Sequence, residues 1–136
     1  MIAIIDYGVG NLFSLTSSLG SIGAETVITS DPDVIRKADK LLLPGVGAFS
    51  DAIAKLRATG LDKVIIEEVR DGKELLGICL GMQMLFEKSY EYGEHEGLGL
   101  IPGEVRPIAE VIPGDLKIPH IGWNALHLRG KNPLFR

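Results

Sequence analysis

The chain has 136 residues, of which 46% are hydrophobic and 17 are glycine, and its formal net charge is −4. This length fits a single domain, and the apolar content excludes a disordered or collagen-like chain. No apolar run approaches the roughly 18 residues that a membrane span requires, and no basic block would neutralise phosphates, so we expect neither a membrane nor a nucleic acid as partner. One Cys and three scattered His exclude an internal disulfide and a repeated-pair zinc site, which favours a cytoplasmic protein without a metal.

Short apolar runs alternate with helical patterns in the first part of the chain. Residues 2–5 (IAII) form an unalternating apolar run, which is typical of a strand buried on both faces of a parallel sheet. Asn11 can cap a helix whose apolar residues recur at helical spacing as far as Ile22. The same criteria predict strands over 24–29, 40–43 and 75–79, helices over 49–59 and 61–71, and a turn at Asp31-Pro32.

The signal weakens after Cys79. The spacing of Met82, Leu85 and Phe86 predicts a helix directly after Cys79. Beyond it, the composition indicates a polar loop, an alternating strand and a Pro/Gly-interrupted stretch, over residues 90–97, 104–108 and 113–123.

This order of elements predicts an α/β fold in one domain over residues 1–136. Strands that alternate with helices form right-handed βαβ units in an open, doubly wound, mostly parallel sheet. The sites of such sheets lie at the carboxyl ends of the strands. Three Gly-rich loops fall at such ends, at residues 8–10, 45–47 and 77–81.

The loop at residues 77–81 (GICLG) has the form of a nucleophile elbow with Cys79 as the nucleophile. The abrupt strand-to-helix turn of an elbow requires small residues two positions before and two positions after the nucleophile, and both are glycine in this chain. The following helix would favour the thiolate, and the Leu80 N–H would contribute one oxyanion donor. The alternative for an isolated cysteine is a buried structural role, but the strand, the two glycines and the helix together favour the nucleophile.

A second oxyanion donor must come from a neighbouring strand end. Residues 44–47 (PGVG) form a loop whose glycines permit unusual backbone angles, and the Val46 N–H is the candidate donor. The alternative is an ordinary βα turn. The first loop lacks the third glycine of a dinucleotide-binding fingerprint because Phe13 stands in its place, so we expect no such cofactor.

Candidates for a base and for substrate contacts are less specific. The only histidines are His95, His120 and His127, and no spacing places one of them beside Cys79. Gln83 and Glu91 follow the elbow at positions that could face its site, although polar residues on an exposed helix face would look the same.

Two segments resemble motifs of class I glutamine amidotransferases, which use a catalytic triad. Residues 77–83 (GICLGMQ) are similar to the nucleophile motif, and residues 44–47 are similar to the oxyanion loop. Three further segments resemble one branch of that class, the glutaminase subunit of imidazole glycerol phosphate synthase. They are residues 6–11 (DYGVGN), 85–91 (LFEKSYE) and 119–124 (PHIGWN).

The resemblance implies a flavodoxin-like fold and a set of residue roles. It implies that Cys79 attacks the glutamine carboxamide while the N–H groups of Leu80 and Val46 hold the oxyanion. It also implies that Gln83 and Glu91 hold the glutamine, with Glu91 at the α-ammonium group. Ammonia would pass to a (β/α)₈-barrel cyclase subunit, with which the chain would form a heterodimer. The cyclase subunit would dock on a surface of this chain that includes Asn11 and Trp123.

The sequence departs from the family pattern in one respect. The His-Pro-Glu segment that supplies the rest of the triad is absent, because no His-x-Glu occurs in the chain. The chain therefore resembles about the N-terminal two thirds of such a subunit, and we expect residues 1–136 alone to be inactive. Two alternatives stay open, namely a glutaminase of the anthranilate or aminodeoxychorismate synthase type and a non-enzymatic flavodoxin-like binding module.

Overall fold

A computed structural model describes residues 1–130 and contains a four-stranded parallel sheet with the strand order β2-β1-β3-β4. Its strands are Ile2–Ile5 (β1), Thr26–Thr29 (β2), Lys40–Leu43 (β3) and Glu74–Gly77 (β4). The helices are Leu12–Ser21 (α1), Pro32–Lys37 (α2), Phe49–Ala58 (α3), Leu61–Arg70 (α4) and Leu80–Gln83 (α5), and a 3-10 turn covers Ile108–Glu110. A second sheet of order β6-β5-β7 contains Phe86–Ser89 (β5), His95–Glu96 (β6) and Ile101–Val105 (β7).

The strand order confirms the predicted open α/β architecture. β1 lies between β2 and β3 and pairs with both in parallel, so the chain reverses its direction of travel across the sheet at β1. In such sheets the crevice at the reversal point, outside the carboxyl ends of the strands, is where ligands bind. The loops after β1, β3 and β4 all lie at this edge.

The two faces of the parallel sheet are covered unequally. One face, which includes Ala3 and Leu41, packs against α2, α3 and α4 in a continuous core. On the other face the cross-strand register aligns Ile4 with Leu42 and Leu42 with Leu76. This face borders an open groove of about 520 Å³ beside Leu19 of α1, and Leu76 is 44% exposed. Among residues 1–130, therefore, only the first face has a complete apolar cover.

Two predicted element types are wrong. The predicted turn at Asp31-Pro32 begins helix α2, because Asp31 Oδ1 accepts a hydrogen bond from Asp33 N at 2.8 Å and proline occupies the first helical turn. The predicted helix after Cys79 ends at Gln83 and is followed by strand β5. The periodicity there is misleading because Met84 and Leu85 are buried by tertiary packing rather than on one helical face.

The later part of the chain also differs in detail from the prediction. β6 lies within the predicted polar loop, and β7 begins three residues before the predicted strand. Residues 113–130 are exposed and contain no helix or strand, which agrees with the Pro/Gly-interrupted stretch predicted over residues 113–123. None of the helices found in residues 1–130 is long and apolar enough to cross a membrane.

Candidate active site

Cys79 lies at the junction of β4 and α5 on strained backbone. Its φ and ψ are 56° and −119°, and a positive φ at a residue other than glycine costs on the order of 1–3 kcal/mol and is concentrated at functional sites. The cysteine is exposed. Because α5 has only four residues, its dipole contributes less to the thiolate than the predicted longer helix would.

The glycines on either side of Cys79 explain how this turn is possible. A Cβ atom added at Gly77 would lie 2.6 Å from Met82 Cα, and one added at Gly81 would lie 2.0 Å from Leu43 O. No side chain fits at either position, since real Cβ contacts below 3.0 Å essentially never occur. The requirement for small residues at both positions is confirmed.

The predicted oxyanion loop (residues 44–47) packs directly against the elbow. A Cβ atom added at Gly45 would lie 2.5 Å from Gly81 N, so the two backbones are in contact. The Val46 side chain is 54% exposed. Among the described residues, neither the Val46 N–H nor the Leu80 N–H donates a hydrogen bond. Two unpaired N–H groups on adjoining loops are what an oxyanion hole requires.

The loop after β1 reaches the oxyanion loop through Tyr7. The buried Tyr7 hydroxyl donates a 2.7 Å hydrogen bond to the carbonyl oxygen of Pro44, and burial raises the pKa of Tyr7 from its ordinary value of 10 to about 12. Gly10 packs against the same proline, because a Cβ atom there would lie 2.9 Å from Pro44 Cβ. Sequence reasoning missed Tyr7, and its only signal is its place directly after a buried strand.

Glu91 contacts the backbone just after the oxyanion loop. Its Oε2 accepts a 2.6 Å hydrogen bond from Phe49 N at the start of α3, whose own cap residue Ala48 makes no side-chain hydrogen bond. Glu91 follows β5, and its N–H donates to Ser89 Oγ at 3.2 Å. The structure thus gives Glu91 a contact that the sequence did not predict, since it caps the helix that follows the oxyanion loop.

The remaining predicted site residues lie near the elbow or away from it. Gln83 is half-buried at the end of α5, and its N–H donates to Cys79 O at 3.2 Å. Asn11 is exposed and caps α1, with Oδ1 accepting from Ser14 N at 3.1 Å. Trp123 is fully exposed in the irregular segment.

His95 and His120 each contact a neighbouring side chain. His95 is half-buried in β6, where its ring stacks on Phe49 with the centroids 6.4 Å apart, rather than lying in a solvated loop. Its Nε2 is buried and finds no partner among residues 1–130. His120 Nε2 lies 2.7 Å from Asn124 Nδ2. Among residues 1–130, no three His, Cys, Asp or Glu side chains come together as a metal site would require.

Sequence comparisons show the family to which the chain belongs. Residues 2–112 match the family of CobB/CobQ-like glutamine amidotransferase domains. The whole chain is 47% identical to the imidazole glycerol phosphate synthase subunit HisH of Wolinella succinogenes and covers 67% of that protein. Over 99% of its length it is 51% identical to HisH of Sulfurimonas denitrificans, of which it covers 65%. The chain belongs to the HisH family of glutamine amidotransferases. It spans about two thirds of the length of these curated relatives, and the family resemblance predicted from the motifs is confirmed.

Solved structures resemble the HisH-family chain in fold. A crystal structure of a glutamine amidotransferase superposes with a TM-score of 0.67 at 20% identity, over 78% of this chain and 56% of that chain. A putative peptidase E protein from Listeria monocytogenes EGD-e superposes with a TM-score of 0.60 at 19% identity, over 74% of this chain and 62% of that chain. At these identities the likeness shows the fold alone, and it confirms the predicted fold class.

Proposed function

We propose that this HisH-family chain is the glutaminase part of an imidazole glycerol phosphate synthase. It hydrolyses L-glutamine to glutamate and ammonia, in the cytoplasm and without a cofactor, and passes the ammonia to a (β/α)₈-barrel cyclase subunit for histidine biosynthesis. The observation that carries this proposal is Cys79 on positive-φ backbone, locked between Gly77 and Gly81 beside a loop with a free N–H. The identity of 47–51% to HisH subunits supports the branch.

Cys79 is the nucleophile in the proposed reaction. Its thiolate attacks the carboxamide carbon of glutamine, and the negative charge that develops on the oxygen is stabilised by the N–H groups of Leu80 and Val46. The C–N bond then breaks, ammonia leaves after protonation, and a γ-glutamyl thioester remains on Cys79. Water hydrolyses the thioester and releases glutamate.

Gln83 and Glu91 complete the glutamine site in this proposal. Gln83 lies one helical turn after Cys79, and the Glu91 carboxylate supplies a negative charge suited to the α-ammonium group of glutamine. One Glu91 oxygen accepts from Phe49 N, and the second oxygen is the one proposed to face the substrate.

The base of the reaction is proposed to come from a segment outside residues 1–136. A longer chain of the relatives' length would supply a His that removes the thiol proton and returns a proton to the leaving ammonia. The exposed residues Asn11 and Trp123 are proposed to dock on the cyclase subunit and to surround the outlet of ammonia, because ammonia released into water would become non-nucleophilic ammonium.

Labelling with a glutamine-analogue alkylator tests the proposal. A chain of the relatives' full length, assayed with its cyclase subunit, should gain one covalent adduct on Cys79 by mass spectrometry and should hydrolyse glutamine. The Cys79→Ala variant should lose both properties while the complex still uses added ammonium salts. An adduct at another residue, or glutamine hydrolysis by Cys79→Ala, would contradict the assignment. Co-purification with an anthranilate-type synthase subunit would favour the other branch.

A further inference from the structure

The oxyanion loop is held by side chains at both of its ends. At its start, the carbonyl of Pro44 accepts from the buried Tyr7 hydroxyl at 2.7 Å. Just after its end, the N–H of Phe49 donates to Glu91 at 2.6 Å. Tyr7 comes from the end of β1 and Glu91 from the segment after β5, so two separate elements fix the loop.

Apart from the packing of Gly45 against Gly81, the middle of the loop lacks comparable contacts. Val46 is half exposed, and among residues 1–130 its N–H makes no hydrogen bond. Gly47 has a φ of +89°, and a Cβ atom there would meet nothing within 4 Å. The position of the Val46 N–H therefore depends on where the two ends of the loop are fixed.

We propose that Tyr7 and Glu91 are positioning residues of the oxyanion hole, which hold the two ends of residues 44–49 so that the Val46 N–H points to the oxygen that becomes negative. This inference rests on the proposed function. It assigns Tyr7 a role in the reaction, and it assigns Glu91 a second role besides contact with the substrate.

Each contact is chemically suited to this task. Tyr7 keeps its proton at all ordinary pH values because burial raises its pKa to about 12, so it remains a donor. The Glu91 carboxylate is placed at the N-terminus of the ten-residue helix α3, where a negative group is stabilised by the unpaired N–H groups. Displacement of an oxyanion donor lowers the rate of the chemical step because the charge it stabilises exists only in the transition state.

Two substitutions at Glu91 separate its two roles. Glu91→Gln keeps an oxygen that can accept from Phe49 N but removes the charge that would attract an ammonium group. Glu91→Ala removes both. We expect KM for glutamine to rise in both variants, whereas kcat should fall by about tenfold in Glu91→Ala and stay within about twofold of wild type in Glu91→Gln.

Tyr7→Phe tests the other end of the loop without a change in side-chain shape. In the full-length chain with its cyclase subunit, we expect kcat for glutamine hydrolysis to fall by about tenfold and KM to stay within about twofold. The rate at which iodoacetamide alkylates Cys79 should not change, since alkylation uses no oxyanion hole. The control is Tyr92→Phe, which removes a hydroxyl from a side chain that is 92% exposed.

The outcomes distinguish this inference from the function it rests on. A wild-type complex without glutaminase activity would overturn the proposed function and this inference with it. An active wild type in which Tyr7→Phe and Glu91→Ala both keep their kcat would overturn the inference alone. Should Tyr7→Phe fail to fold, an equal kcat for Glu91→Ala and Glu91→Gln would also overturn it.

Discussion

The elbow and the oxyanion loop are the two halves of the candidate site, and they are stabilised in different ways. The elbow is fixed by backbone packing, since no side chain fits at Gly77 or Gly81. The oxyanion loop is fixed by side-chain hydrogen bonds from Tyr7 and Glu91, which lie 37 and 42 residues away along the chain from their partners. The motif of the first half is therefore local in sequence, although Gly81 packs against Leu43 of β3, whereas the second half is held by distant side chains that only folding brings together.

The largest expected effect concerns the base of the proposed reaction. Residues 1–136 alone should show no measurable glutamine turnover, because the chain lacks the His-x-Glu segment that the family resemblance assigns as the source of the base. The measurement is glutamate release by this chain and by a chain of the relatives' length at equal concentration. Robust turnover by residues 1–136 would mean that His95, His120 or His127 is the base.

The next largest effect should follow a change in the elbow. Gly81→Ala would place a Cβ atom 2.0 Å from Leu43 O, so either β3 or the turn must shift, at a cost of roughly 3 kcal/mol or more in the free energy of unfolding. Urea denaturation measures the free energy of unfolding of the variant and of wild type. The matched control is Gly20→Ala in α1, where a Cβ atom meets nothing within 4 Å; it should stabilise the helix by up to about 1 kcal/mol. Equal stability of the two variants would show that the elbow is not packed as described.

Trp123 lies outside both halves of the site, so its substitution should affect only association. Trp123→Ala should weaken binding of the cyclase subunit by on the order of 2 kcal/mol, or roughly thirtyfold. Synthesis of imidazole glycerol phosphate from glutamine should fall, while its synthesis from ammonium salts should be unchanged. A titration of the cyclase subunit measures the affinity, with Tyr92→Ala as a control for loss of an exposed aromatic ring.

A different result is expected if Trp123 belongs to a core in the full-length chain. The variant would then melt well below wild type and bind the cyclase subunit with unchanged affinity. That outcome would remove Trp123 from the proposed docking surface without any consequence for Cys79.

The smallest expected effect is a pH dependence of the free energy of unfolding, and it arises from Tyr7 beside the oxyanion loop. Because burial raises the pKa of Tyr7 to about 12 in the folded chain, the folded state keeps a proton that the unfolded state loses near pH 10. The stability that the protonated Tyr7 contributes to the folded state is therefore complete below pH 10 and is lost as the pH rises toward 12. Tyr7→Phe should lose less stability than wild type between pH 9 and pH 11 in urea denaturation. Tyr92→Phe should behave as wild type, and an identical loss in all three proteins would contradict the burial of Tyr7.

The sequence predicted much of the fold for a simple physical reason. β1 is a continuous apolar run, β3 is one after Lys40, and α3 and α4 have a clear helical period, so each can be recognised from a few neighbouring residues. Helix α2 was missed because its six residues are too few for a period. The helix predicted after Cys79 is too long, because Leu85 is apolar for a reason other than a helical face. Tertiary packing buries Met84 and Leu85 where the chain leaves α5 and enters strand β5.

The sequence by itself identified the elbow, since its cysteine and both glycines lie within five residues of chain, although the steric demand at Gly81 comes from Leu43 in β3. The family also follows from local motifs and from identity to HisH subunits. Only the tertiary structure decided what holds the oxyanion loop. Tyr7 and Glu91 have no local pattern that marks them, because hydrogen bonds between residues about 40 positions apart depend on the tertiary fold. Glu91 reaches the loop from the segment after β5 in the second sheet, and Tyr7 reaches it through the order of the parallel strands. That order, β2-β1-β3-β4, brings the ends of β1, β3 and β4 to one edge, where the three loops meet.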